Sequence, residues 1–146
     1  MSSEVIARIV EVIRKSPAVC LATTDGVTPR ARYISVREVE DDLTITFATG
    51  STDTKTVHIQ KNPHVHVIAG FPPPEPDMPN VSVDSVATIH TDQATREKYW
   101  HKSFLEHFYG PDDDYYVVLK LHPTRAWIST GEEVTDFPRT EDRNPR

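Results

Sequence analysis

The chain has 146 residues, 37% of them hydrophobic and 26% charged, with a formal net charge of -6 at pH 7, which suits one globular domain rather than a disordered chain. The acidic balance, with no lysine or arginine block longer than a pair, argues against nucleic acid as a partner. No stretch approaches the ~20 apolar residues of a membrane span, Met1 to Val10 lacks a signal-peptide core, and Cys20 is alone, so the expectation is a soluble, cytoplasmic chain with no membrane partner and no intrachain disulfide.

Residues 3 to 15 place Val5, Ile6, Ile9, Val10, Val12 and Ile13 on one helical face, with Glu4/Arg8 and Glu11/Lys15 as i,i+4 pairs on the other. Ser16-Pro17 ends that helix. Strands are expected at 18–24, 30–38 and 43–48, joined by turns at Asp25-Gly26 and Glu40-Asp41-Asp42, which reads as a three-strand meander. A helix over 53–61 stops at Asn62-Pro63, and "VHVIAGF" (65–71) reads as a buried strand. "PPPEPDMPN" holds five of the twelve prolines and reads as a stiff surface loop. Residues 81–89 alternate as a strand, 92–108 form a helix rich in Tyr99, Trp100, Phe104 and Phe108, and 115–121 and 125–129 are the last strands. From Gly131 the sequence is a polar tail. Six or seven strands joined by tight turns favour an antiparallel sheet closing as a small barrel with helices at its mouth.

The stretch "TGSTDTKTVHIQKNP" (49–63) carries Thr49, Ser51, Thr52, Thr54 and Thr56 around Gly50, Asp53 and Lys55. Two readings fit. Ser51, Thr52 or Asp53 can cap the helix, or the free N–H groups, the hydroxyls and Lys55 can cradle a phosphate. Asp53 favours the cap, since a carboxylate repels a dianion unless its oxygens are already engaged. Arg30 and Arg32 share one face of the preceding strand and offer a second cationic group.

The order of elements resembles the pyridoxamine 5'-phosphate oxidase-like FMN-binding split barrels, in particular their general stress protein 26 type. The likeness covers about residues 3 to 130 and is carried by "ATTDGVTPRARYISV", "LTITFATGSTDTKTVHIQKNP" and "FYGPDDDYYVVLKLHPTRAWI". It implies a mainly β fold with α elements, an antiparallel Greek-key split β-barrel with flanking helices, spanning 1–130 and followed by the 131–146 tail. It also implies a homodimer with an FMN, or alternatively a deazaflavin, in each cleft between subunits. By this resemblance Arg32 contacts the FMN phosphate, Tyr33, Ile34 and Ser35 run beside the ring system, and Ala48 and Thr49 approach the isoalloxazine. Ser51, Thr54 and Lys55 serve the phosphate, and Asn80 reaches the flavin of the partner chain. The family's Ser-Arg-Lys triplet reads Asp53-Thr54-Lys55 here, one arginine lost and one carboxylate gained. Trp100 and Trp127 are candidates to cover the ring, or else core residues.

The implied function is FMN-dependent hydride or electron transfer with a small-molecule substrate, the ring doing the chemistry. The alternatives are a non-catalytic flavin binder or stress-related sensor, and a deazaflavin or haem binder on the same fold. "DFPRTEDRNPR" does not match the oxidase's substrate-phosphate segment. His64 and His66 could approach a metal with His90 or His122, but the His-Glu pairing of metal hydrolases is missing, so strand-face and subunit contacts are the simpler reading. Asp112-Asp113-Asp114 lacks a calcium-loop pattern and reads as a solvated turn.

Overall fold

The computed structural model describes residues 2–138. Helix α1 (Ser2–Lys15) buries Ile9, Val10, Val12 and Ile13, the stripe that helical spacing places on one face. It ends where the Ser16 hydroxyl donates to the Val12 carbonyl at 2.8 Å, and Pro17 cannot continue the ladder. Arg14 donates from its last turn to the Val39 carbonyl at 2.6 Å and ties the helix to the sheet.

Among the described residues eight strands follow: β1 (Val19–Thr24), β2 (Pro29–Ile34), β3 (Glu38–Val39), β4 (Ile45–Gly50), β5 (His64–Ala69), β6 (Val81–His90), β7 (Tyr116–Ile128) and β8 (Glu133–Val134). Every pairing among them is antiparallel. Helix α2 (Thr54–Lys61) lies between β4 and β5, while α3 (Gln93–Tyr99) and a short 3-10 helix (Lys102–Glu106) lie between β6 and β7. Among the described residues, no helix is long and apolar enough to cross a membrane.

The order across the sheet is β2-β1-β5-β6-β7-β4-β3, with β8 added along β7. Its two edge strands, β2 and β3, are sequence neighbours separated by Ser35, Val36 and Arg37. A flat sheet would hold those edges six strand spacings apart, roughly 29 Å. The four peptide links from Ile34 to Glu38 reach at most about 14 Å. The sheet must therefore curl until its edges approach, giving a mainly antiparallel split barrel with helices around it. The seam of the split lies between β2 and the β3–β4 hairpin.

Several local expectations change for physical reasons. The three-strand meander is not formed. The segment 30–38 breaks after Ile34 because it must cross the seam, and 43–48 pairs with β7 along Ile45–Gly50 while only Glu38 and Val39 pair with β4. The helix over 92–108 stops at Tyr99, since Trp100 and His101 are extended and His101 Nδ1 accepts from the Ser103 amide to start a separate 3-10 turn. The two last strands are one. Pro123, which has no N–H to give, lies opposite Ser85 where β6 shifts register, and the Thr124 hydroxyl donates to the Asp84 carbonyl. In the polar segment after Gly131, β8 pairs with β7 and buries Val134; residues 139–146 of the expected tail lie outside the described residues.

The main core joins α1 to the inner face of the sheet, with Ile9, Leu21, Leu43, Ile45, Leu119 and Leu121 all fully buried. A second cluster of Tyr99, Phe108, Tyr116 and Val118, with Trp100 and Phe104 against it, sits on the helical side of β7. Trp100 packs edge-on to Phe104 and Tyr116 at 5.5 and 5.3 Å, and the Tyr116 hydroxyl donates to the Arg96 carbonyl at 2.8 Å. This aromatic block fixes the loop that faces the seam.

Candidate functional site

The seam opens into a groove of about 640 Å³, a volume typical of small-molecule sites, which run to roughly 300–1,000 Å³. The end of β2 contributes Tyr33, Ile34 and Ser35 to one wall, and the end of β4 contributes Ala48 and Thr49 to the other. Phe104 and Phe108 supply an aromatic wall, and Asp53, Lys55 and Tyr115 form a polar end. Side chains from opposite edges of one sheet meet here because the sheet is curled.

At the polar end, backbone approach comes first. The Tyr115 ring lies directly on Gly50, where an added Cβ would stand 2.0 Å from the ring carbon Cζ. Glycine is needed there for space rather than for its φ. The Ser51 amide donates to the Tyr115 carbonyl at 2.7 Å, while the Asp53 amide and the Thr56 hydroxyl both donate to the Gly50 carbonyl. The turn between β4 and α2 is thereby locked to the start of β7.

Asp53 occupies the position before α2, but its side chain makes no cap bond to that helix. It turns back instead. Its Oδ2 accepts from the Thr49 hydroxyl at 2.8 Å, the Gly50 amide at 2.9 Å and Lys55 Nζ at 3.3 Å, and its Oδ1 accepts from the Tyr115 hydroxyl. Burial pushes this carboxyl up, yet the bonds from Tyr115, Gly50 and Thr49 and the Lys55 charge outweigh burial and hold it at about 2. The same bond keeps the proton on Tyr115 and raises its phenol.

The residues singled out in the sequence are distributed as follows. Tyr33, Ile34, Ser35, Ala48, Thr49 and Lys55 converge on the groove. Thr54 faces a second recess of about 420 Å³, with Arg30, His58 and Lys61. Ser51 is part of the turn, through its amide. Arg32 anchors one nitrogen, Nη1, on the Thr23 hydroxyl at 2.7 Å and on the Leu21 carbonyl at 3.3 Å, outside the groove lining. Asn80 stands at the start of β6, its carbonyl accepting from the Ser129 amide, and does not line the groove of its own chain. Trp100 belongs to the aromatic block, and Trp127 lies under Arg125, with its ring 5.0 Å from the guanidinium. Neither tryptophan lines the groove.

Phe104, Phe108 and Tyr115 were not assigned to the site from sequence. The carboxylate at Asp53 signals a need for donors, but nothing near it in sequence points to Tyr115, 62 residues away. Three of the four histidines singled out are engaged within the fold: His66 Nδ1 lies 2.8 Å from Asp84 Oδ1, and His90 and His122 both bond the Thr88 hydroxyl; His64 is exposed at the start of β5. Asp113 accepts from the Tyr109 and Tyr115 amides and shapes the turn before β7.

Residues 5–129 match the family model of pyridoxamine 5'-phosphate oxidase. General stress protein 26 of Bacillus subtilis is 27% identical over 128 residues, 88% of this chain and 90% of that protein. The crystal structure of general stress protein 26 from Bacillus anthracis is similar with a TM-score of 0.76 at 25% identity, covering 89% of this chain and 97% of that one. A pyridoxamine 5'-phosphate oxidase-related, FMN-binding protein of Nostoc punctiforme shares the fold, with a TM-score of 0.60 and 16% identity over 92% of this chain and 94% of that one.

Proposed function

The chain belongs to the pyridoxamine 5'-phosphate oxidase family, and on that footing we propose that its seam groove holds the flavin, as FMN, of a cytoplasmic oxidoreductase acting on a small molecule. The observation that carries this reading is the pairing, in one groove, of an aromatic wall at Phe104 and Phe108 with a polar end at Asp53, Lys55 and Tyr115, across the seam between the end of β2 and the end of β4. Ser35 and Ala48, on the facing walls, are small enough to leave room for a planar ring. Phe104 and Phe108 shield that space from water. When bound, a flavin supplies hydride or electron transfer, and the protein supplies position and electrostatics.

The chain's own groups then divide the work. Lys55 brings a cation to the groove's polar end, while Thr54 faces the neighbouring recess with Arg30 and Lys61. Arg32 uses only Nη1 within the described residues, so its other nitrogens are available to a phosphate. The amides and hydroxyl around Gly50 fit a polar ligand tail less freely, because Asp53 already holds them.

The groove borders an uncovered face of the sheet. Cys20 lies opposite both Tyr33 and Ile68, and these two side chains are 78% and 45% exposed in the single chain. An apolar row of this kind fits a second copy, and Asn80 of each copy would then serve the groove of the other.

The test is the visible absorption spectrum of the purified full chain, before and after addition of FMN and desalting. Retained flavin bands support the reading, and a colourless protein overturns it. Oxidation of reduced pyridine nucleotide by the flavin-loaded protein supports turnover; its absence leaves a flavin-binding or sensing role in place of the oxidoreductase.

A further inference from the structure

We propose that Asp53 determines which flavins the groove accepts: its carboxylate holds the donors that a ligand phosphate needs, so the site discriminates weakly between FMN and phosphate-free riboflavin. This deepens the flavin reading above and rests on it.

The donors at the polar end are already assigned. Thr49, Gly50 and Lys55 all donate to one oxygen of Asp53, and Tyr115 donates to the other. A phosphate arriving here meets a lysine whose charge is already matched by a carboxylate 3.3 Å away. The side chain is directed there by the fold, since it makes no cap bond to α2 and the Tyr115 ring over Gly50 sets the phenol in place. Swinging Asp53 aside would strand the buried Gly50 amide, so a ligand does not displace it without loss. The ring slot is untouched by any of this. Affinity from ring contacts is kept while affinity from the phosphate is reduced by one fixed negative charge.

The experiment is titration of wild type, Asp53→Asn and Asp53→Ser with FMN and with riboflavin, followed by quenching of flavin fluorescence, with thermal unfolding of each protein recorded alongside. Wild type should bind the two flavins within about tenfold of each other. Each folded variant should bind FMN about tenfold more tightly, the scale of removing one like charge beside a phosphate, while riboflavin affinity changes by less than about threefold. If one variant fails to fold, the other decides. Equal shifts for both flavins, weaker FMN binding in the variants, or a wild type that strongly prefers FMN would overturn the role of Asp53 and leave the flavin site standing. Failure of wild type and variants to bind either flavin would overturn the flavin reading and this inference with it.

Discussion

Asp53→Asn removes the charge that closes the turn before α2 while keeping an oxygen for the Gly50 amide. In the folded chain the Asp53 carboxyl falls from 3.8 to about 2, with burial opposing the shift and the bonds from Tyr115, Gly50 and Thr49 and the Lys55 charge overcoming it. That fall corresponds to roughly 2.4 kcal/mol if taken whole. The side chain is 33% exposed, so solvent screening reduces the contribution to about 1–2 kcal/mol. Because the folded value lies below the unfolded one, the stabilisation is fully present above 3.8 and is lost as the pH falls through about 2. Urea unfolding should therefore find Asp53→Asn less stable than wild type by about 1–2 kcal/mol at neutral pH, with the gap closing in acid. Glu132, also held at about 2 by Thr130 and Arg8, titrates in both proteins and cancels in the difference. A gap that stays constant from neutral pH to pH 2, or a variant as stable as wild type at neutral pH, would refute this account of the turn.

Lys55→Ala should weaken FMN binding by less than the ~1.5–3 kcal/mol of a free charge-assisted contact, since Asp53 already engages the lysine, and riboflavin binding by less still; parallel titrations check it, and equal losses would remove Lys55 from the phosphate. Ile68→Asp places a charge in the exposed apolar row, so sedimentation should shift from dimer to monomer with the fold intact by circular dichroism. Tyr116→Phe strands the Arg96 carbonyl by removing a 2.8 Å bond from a fully buried phenol, and should cost about 1–3 kcal/mol in urea unfolding. In the native protein burial pushes the Tyr116 phenol up to about 12, so ultraviolet titration should find this tyrosine ionising above the ordinary tyrosine range, and its step should be missing from Tyr116→Phe.

The elements that carry a clear period are legible in the sequence. The α1 stripe, the alternation of 81–89 and the Asn62-Pro63 stop each state a local preference, and the fold follows them. What the period does not carry is which strand lies beside which. Residues 30–38 and 43–48 look like consecutive strands of a meander, but β4 finds its partner at β7, because the chain between Ile34 and Glu38 crosses the seam instead of turning back. The aromatic break is hidden for a similar reason. Residues 92–108 have helical content throughout, and only the packing of Trp100 against Tyr116 and Phe104 makes the extended backbone at 100–101 the better arrangement. At the site, Tyr33–Ser35, Ala48, Thr49 and Lys55 were readable from the family pattern, whereas the Asp53 bond to Tyr115 joins residues 62 apart and leaves no local trace.

Asp53 also joins the two halves of the cradle question. Hydroxyls around Gly50 could have served a helix cap or a ligand, and the Thr49 and Thr56 hydroxyls serve neither: one holds the Asp53 carboxylate and the other the Gly50 carbonyl. The turn is thus satisfied before any ligand arrives, and the donors that complete it are the ones a phosphate would use. Stability and phosphate recognition are then set in opposition at one residue. Asp53→Asn lowers the unfolding free energy and raises FMN affinity if both arguments hold, a combination that neither a general loss of structure nor a purely structural aspartate produces. Loss of structure would lower both, and a structural aspartate remote from the ligand would lower stability alone.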